Sequence, residues 1–243
     1  MKNWNGKRYW IVGASAGLGR EVARQVSQMG AEVILSARNE DELNALAAEL
    51  PGKSQVVPMD IASDESVAAA AEAAGHVDGL VFLAGVYWSF GSAAWEAERA
   101  VKMIDINLTG AFRVLGHVVP EMVARDSGHI VFTGSLSGFR GLPKAVGYGA
   151  SKAGLMSLAE TMYADLRKTG VQVQLINPGF VKTRLTDKND YKMPFLMEPE
   201  YAAREYVEHM GTDRFAKNYP TLFSSAIRFT QFLPDWLYYR LFG

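Results

Sequence analysis

Tyr148 and Lys152 stand four residues apart in the run Tyr148-Gly149-Ala150-Ser151-Lys152. On a helix that spacing stacks both side chains on one face. A phenol with a pKa near about 10 exchanges protons poorly at neutral pH. A neighbouring ammonium favours the phenolate and brings the hydroxyl into the range of general acid–base work. Ser135 lies thirteen residues before Tyr148, closing the run Phe132-Thr133-Gly134-Ser135, where its hydroxyl can face the same cleft. A Tyr-x-x-x-Lys pair on its own is common and describes a helix with an exposed lysine equally well. The upstream serine and a second motif make it specific.

That second motif is Gly13-Ala14-Ser15-Ala16-Gly17-Leu18-Gly19, directly after the apolar run Tyr9 to Val12. Glycine belongs where a backbone takes positive φ or passes close to a ligand. A helix starting near Arg20 aims free N–H groups and its positive dipole end at the turn, which favours a pyrophosphate held by Gly13, Ser15, Gly17, Leu18 and Gly19. A plain tight turn is the bland alternative. The second strand runs into Ser36-Ala37-Arg38-Asn39, with no acid before Glu40 to hold a ribose 2′-hydroxyl. A hydroxyl and a guanidinium at Ser36 and Arg38 suit a 2′-phosphate, so NADP(H) is expected in preference to NAD(H). The competing reading leaves Arg38 solvated at a helix start. Asp60-Ile61 follows the third strand, where the carboxylate meets an adenine amino group or caps the helix beginning near Ser63.

Short β-rich runs and longer helical patterns alternate up to about residue 177 and supply the frame for these groups. The runs are Tyr9 to Val12, Val33 to Ser36, Gln55 to Pro58, Gly79 to Leu83, His129 to Thr133 and Val171 to Asn177. Between them, helical periodicity covers Arg20 to Met29, Glu40 to Leu50, Ser63 to Ala74, Trp95 to Arg125 and Ala150 to Thr169. Nearly continuous apolar runs suit strands buried on both faces. The expected fold class is α/β: a single doubly wound Rossmann-type domain over residues 1–243, a parallel sheet with helices on both faces. Ligands in such folds bind beyond the carboxyl ends of the strands, where the strand order reverses.

Composition narrows the partners. The chain has 243 residues, 49% of them hydrophobic, and 25 Lys plus Arg against 26 Asp plus Glu give a net charge of −1. That balance leaves no electrostatic footprint for nucleic acid and speaks against contact with an anionic membrane surface. Without cysteine, and with four histidines outside any ligand spacing, no metal site is expected. Twelve residues precede Gly13 and include Lys2, Lys7 and Arg8, so no targeting segment is read and a cytoplasmic protein is expected.

With both motifs in view, the chain resembles the short-chain dehydrogenase/reductase family from about residue 7 to 185. The resemblance implies that Gly13, Gly17 and Gly19 form the cofactor turn and Asp60 the adenine contact. It implies a catalytic tetrad of Asn107, Ser135, Tyr148 and Lys152, with a purely structural Asn107 as the alternative. Ala84 and Gly85 imply a close backbone approach to the cofactor. Pro178, Gly179, Val181 and Thr183, in Asn177-Pro178-Gly179-Phe180-Val181-Lys182-Thr183, imply a bracket for the nicotinamide, with Val181 and Thr183 on its carboxamide. One departure stands out: Leu83 occupies the place of the family's asparagine in Phe82-Leu83-Ala84-Gly85, so local support of the sheet must come from elsewhere.

The implied reaction is reversible hydride transfer between nicotinamide C4 and a carbonyl or secondary alcohol carbon. Tyr148 then moves the proton, Ser135 holds the oxygen, Lys152 tunes Tyr148 and bonds the ribose, and Asn107 holds a proton-relaying water. The substrate pocket is expected to be apolar, drawing two or three residues from Tyr87, Trp88, Phe90, Phe139, Arg140, Leu142, Phe180 and Leu185. Arg140 or Lys144 is either solvated or receives an anionic group. The family places a substrate lid in about residues 186–215, here including the polar run Asp187 to Lys192. Residues 220–243 form an aromatic tail, too short between Pro220 and Pro234 to span a bilayer, that packs on the domain or a second subunit, covers the pocket, or touches a membrane interface. The resemblance implies that Trp95 to Arg125 and Ala150 to Thr169 form a four-helix interface in a homodimer or homotetramer, with a monomer as the alternative. A reductase of free ketones, a reductase of 3-oxoacyl thioesters and a non-catalytic NADP-binding sensor or scaffold remain as readings.

Overall fold

Along the central strands successive residues alternate between two apolar cores, and this decides the architecture. In the computed structural model, which describes residues 3–187 and 193–243, the strands are Arg8–Val12 (β1), Glu32–Ser36 (β2), Ser54–Val56 (β3), Gly79–Phe82 (β4), Gly128–Thr133 (β5), Val171–Pro178 (β6) and Ala216–Tyr219 (β7). They form one parallel sheet in the order β3-β2-β1-β4-β5-β6-β7. Trp10, Val12, Leu80, Phe82, Ile130 and Phe132 point to one core. Tyr9, Ile11, Val81 and Val131 point to the other. The first core is closed by Asp64–Ala74 (α3), Gly110–Ala124 (α5) and Val146–Leu166 (α6) through Val67, Val114 and Leu155. The second is closed by Gly17–Gln28 (α1), Glu40–Glu49 (α2) and Pro199–Met210 (α7) through Val22, Leu43 and Tyr206. The chain is thus a single doubly wound α/β domain. Its strand order reverses between β1 and β4, and the carboxyl ends there form the ligand-bearing edge.

Local chemistry fixes the element ends. Asn39 Oδ1 accepts from the Glu42 amide at 3.2 Å and caps α2, while Ser63 Oγ accepts from Ser66 N at 3.2 Å and caps α3. Ser63, not Asp60, therefore serves as the helix cap.

The structure departs from the sequence reading in three places. The single helix expected from Trp95 to Arg125 is divided into Ala97–Ile104 (α4), a π turn at Asp105–Thr109, and α5. Residues 199–210, expected in a substrate lid, are instead the helix α7 on the core, with Ala202, Tyr206 and Met210 fully buried; Lys188, Asn189, Asp190, Tyr191 and Lys192 lie outside the described residues. Beyond α7, β7 extends the sheet beside β6 with the polar sequence Ala216-Lys217-Asn218-Tyr219, too little apolar to be read as a strand. The aromatic tail forms two helices, Thr221–Phe229 (α8) and Asp235–Phe242 (α9). Phe223, Ile227 and Tyr238 turn toward the domain, whereas Leu222, Phe229, Phe232 and Trp236 are exposed. Among the described residues no helix is long and apolar enough to cross a membrane.

Candidate active site

The glycine turn is a place where backbone meets backbone. Gly13 sits at φ +98°, and a Cβ there would lie 2.6 Å from Ala84 N. Gly17, at φ +54°, leaves room for Thr183, whose Cγ2 would be 2.8 Å from a Cβ. A Cβ on Gly19 would collide with the Gly13 carbonyl. Behind the turn, α1 starts after Ala16 with no side-chain cap and no acid in its first turn, so its amides remain available to an anion.

Around this turn lies a cleft of about 540 Å³. Every residue that the sequence assigned to cofactor binding lines it: Gly13, Ser15, Gly17, Leu18, Gly19, Ser36, Arg38, Asp60, Ile61, Ala84, Gly85, Tyr148, Lys152, Pro178, Gly179, Val181 and Thr183. A long cleft floored by bare backbone, with an uncapped helix end at its centre and a cation at one rim, fits a dinucleotide. Arg38 is exposed and makes no ion pair among the described residues. Its neighbours on the wall, Glu42 and Arg184, pair with each other at 2.7 Å. Nothing in the sequence linked these two, which are 142 positions apart.

Ser36 does not do what was expected of it. Its hydroxyl is fully buried, accepts from Trp10 Nε1 at 2.8 Å and donates to Val57 O at 2.7 Å. The strand register turns its hydroxyl toward Trp10 and Val57, whereas Arg38 stands exposed on the cleft wall.

A second cavity, of about 440 Å³, lies beside the first and is walled mainly by apolar groups including Tyr87, Leu142, Phe180, Leu185, Phe223 and Ile227. Tyr148 lines both cavities, Lys152 the dinucleotide-sized cleft and Ser135 the apolar pocket. Tyr87 packs edge-on against the Tyr148 ring at 5.0 Å between centroids. The other aromatic candidates go elsewhere: Phe90 and Trp88 pack with Met103, and Phe139 with the first core. Ser137, which the sequence reading passed over, lines the pocket and donates to Ser135 Oγ at 2.9 Å.

Burial controls both titrating groups. The Tyr148 phenol is pushed up to about 12 by burial, and its hydrogen bond with Ser135 opposes this only in part. The Lys152 ammonium, 3% exposed, is pulled down to about 8 by burial. Lys152 Nζ donates to Thr133 O at 2.8 Å and lies 5.7 Å from the centre of the Tyr148 ring. Desolvation of the phenolate therefore prevails over the expected acidification of the phenol by the amine. Thr133 is fixed in turn by Tyr206 of α7, whose hydroxyl meets Thr133 Oγ1 at 2.7 Å.

Asn107 is fully buried in the π turn, a geometry often found at functional sites. Its Oδ1 accepts from Val86 N at 2.7 Å and its Nδ2 donates to Val86 O at 3.0 Å, clamping the chain just past Gly85. Leu83 itself packs against the second core. Nδ2 also donates to Ser151 Oγ, which donates to the Tyr148 carbonyl at 2.8 Å. Asn107 thus reaches Tyr148 through Ser151. Among the described residues no group of acids and histidines forms a metal cluster.

Comparison with known proteins agrees with this arrangement. Residues 7–193 match the family model described as short chain dehydrogenase. A Myxococcus xanthus (strain DK1622) protein, named as an uncharacterized oxidoreductase, is 41% identical over 208 residues, covering 83% of this chain and 81% of the relative. The solved structure of a short chain dehydrogenase/reductase from Burkholderia phymatum, in complex with NAD, is 25% identical, covers 94% of both chains and superposes with a TM-score of 0.86. A short-chain dehydrogenase from Sphingobium yanoikuyae, in complex with NADPH, shares the fold at 24% identity and a TM-score of 0.82, covering 94% of this chain and 97% of its own. The chain belongs to the short-chain dehydrogenase family, a family of oxidoreductases.

Proposed function

We propose that this protein is an NADP(H)-dependent carbonyl reductase or alcohol dehydrogenase acting on an apolar small molecule. The observation that carries the reading is the place of Tyr148, on the wall shared by a dinucleotide-sized cleft and an apolar pocket. When bound, the dinucleotide supplies or takes up a hydride at its nicotinamide ring. The chain's own residues do the rest. The glycine turn from Gly13 to Gly19 holds the pyrophosphate, Asp60 and Ile61 the adenine, and Arg38 the 2′-phosphate. Ala84, Gly85, Pro178, Gly179, Val181 and Thr183 bracket the nicotinamide, and Lys152 bonds its ribose.

A phenol at about 12 is fully protonated at neutral pH, which suits proton donation to a carbonyl oxygen gaining charge. Ser135, held by Ser137, supplies a fixed hydrogen bond to the same oxygen, an interaction that strengthens as the charge develops. Asn107 serves as a positioning residue through Val86 and Ser151. Preference for NADP(H) rests on Arg38 and on the lack of an acid at the end of β2. Val101 and Phe112, exposed on α4 and α5, support the homodimer or homotetramer expected from packing of α4, α5 and α6.

The test is to mix purified protein with NADPH or NADH and a panel of apolar ketones, aldehydes and 3-oxoacyl thioesters, following loss of reduced-nicotinamide absorbance. The expected result is consumption of NADPH with apolar ketones and slower consumption of NADH. Equal or faster use of NADH would refute the cofactor reading. Absence of turnover with every carbonyl would refute the reaction.

A further inference from the structure

Arg140 follows Ser135 by five residues, yet it neither meets solvent freely nor waits for an anion. Its Nη1 donates to the carbonyls of Thr230 and Leu233, both at 2.7 Å, and its Nη2 pairs with Asp235 at 2.5 Å. The guanidinium lies 3.9 Å above the centre of the Tyr238 ring. Two more bonds join the same segments: Gln231 Nε2 to Phe139 O at 2.9 Å, and Tyr238 OH to Gly141 O at 2.7 Å. Phe139, Arg140 and Gly141 together grip residues 230–238. The ion pair alone contributes little, because the Asp235 side chain is 86% exposed. The two carbonyls and Tyr238, 1% exposed, carry the attachment.

The gripped segment continues directly from α8, which places Phe223 and Ile227 in the apolar pocket. Phe223 packs against Phe180 at 6.0 Å and Phe195 at 5.6 Å between ring centres. This wall lies beyond residue 193, where the family match ends.

We propose that Arg140 is a positioning residue that fastens the C-terminal segment as a fixed wall of the substrate pocket, and that Phe223 and Ile227 on this wall set the largest apolar carbonyl compound the enzyme accepts. The proposal rests on the reading of that pocket as the substrate site. A close-packed wall discriminates by size, since each methylene gained or refused changes kcat/KM about tenfold or more.

The experiment uses methyl ketones of increasing alkyl length with NADPH. It compares the wild type, a Phe223→Ala/Ile227→Ala variant, Arg140→Ala and Arg140→Lys. In the wild type, kcat/KM rises with chain length to a maximum and then falls. The double variant moves the maximum to longer ketones and raises kcat/KM for the longest by about tenfold, with NADPH affinity unchanged. Arg140→Ala raises KM along the series more than it lowers kcat, and amide exchange of residues 221–243 accelerates. Arg140→Lys falls between, because one ammonium cannot serve both carbonyls and cover the ring. An unchanged length profile in the double variant, or unchanged amide protection in Arg140→Ala, overturns the proposal. Should no ketone be reduced, the proposed reaction fails separately. The wall is then judged by amide exchange and by ketone binding to the NADPH-loaded proteins; the same length dependence in all four overturns it.

Discussion

Lys152 and Tyr148 lie side by side in the cleft wall, and burial moves their pKa values in opposite directions, away from charge in both cases. Burial makes Lys152 lose its proton as pH passes about 8. Because its folded value is below the ordinary 10.5, the unfolded chain holds this proton more tightly; the group costs stability below about pH 8, and the cost fades toward pH 10.5. Ribose hydroxyls and phosphates favour the cation, so NADPH affinity should be level below about pH 8 and fall above it. Calorimetric titration across this range checks the sign, and Lys152→Met should bind weakly with no such dependence. Arg38→Ala should lower NADPH affinity about tenfold to a hundredfold, the worth of a charge-assisted hydrogen bond, and leave NADH affinity unchanged; competitive fluorescence titration reads both. Residue types and spacing made Tyr148, Lys152 and the glycines legible. Ser36 and Arg140 were misread because their partners, Trp10, Val57 and the tail carbonyls, come from strand register and from chain 90 or more residues away.

At the scale of elements, the glycine turn makes a sharp prediction. Gly13→Ala adds a Cβ at positive φ against the Ala84 backbone, and should cost about 1–3 kcal/mol of stability as well as cofactor binding. Gly116→Ala, in α5 with open space around it, should stabilise by up to about 1 kcal/mol. Denaturant melts of both variants, with NADPH titration of the first, test the contrast. The buried strands β1, β2, β4, β5 and β6 were readable as apolar runs, and most of their helices as periodic patterns. The π turn was not, since one extra residue per turn leaves the surrounding periodicity of α4 and α5 almost intact. β7 escaped notice as a polar edge strand. α7 carried a usable signal, Pro199 at its start followed by Ala202, Ala203, Tyr206, Val207 and Met210 at helical spacing, which the family expectation of a lid obscured.

For the molecule as a whole, the doubly wound topology fixes where ligands gather, and the C-terminal segment decides what the second cavity can hold. Alternation alone could not show whether the tail packs on the domain or covers the pocket; the structure shows that it does both. The exposed Val101 and Phe112 on α4 and α5 lead to a prediction for assembly. Light scattering should give a dimer or tetramer for the wild type and a smaller species for Phe112→Glu, whose charge has no partner in an apolar contact. In the proposed reaction one phenol hands a proton across the boundary between two cavities. Its most direct test is single-turnover reduction of a ketone by NADPH-loaded wild type and Tyr148→Phe, with NADPH affinity measured alongside. The expected result is a rate lowered by about two to four orders of magnitude at unchanged NADPH affinity. A variant that reduces the ketone at the wild-type rate would contradict the assignment of Tyr148.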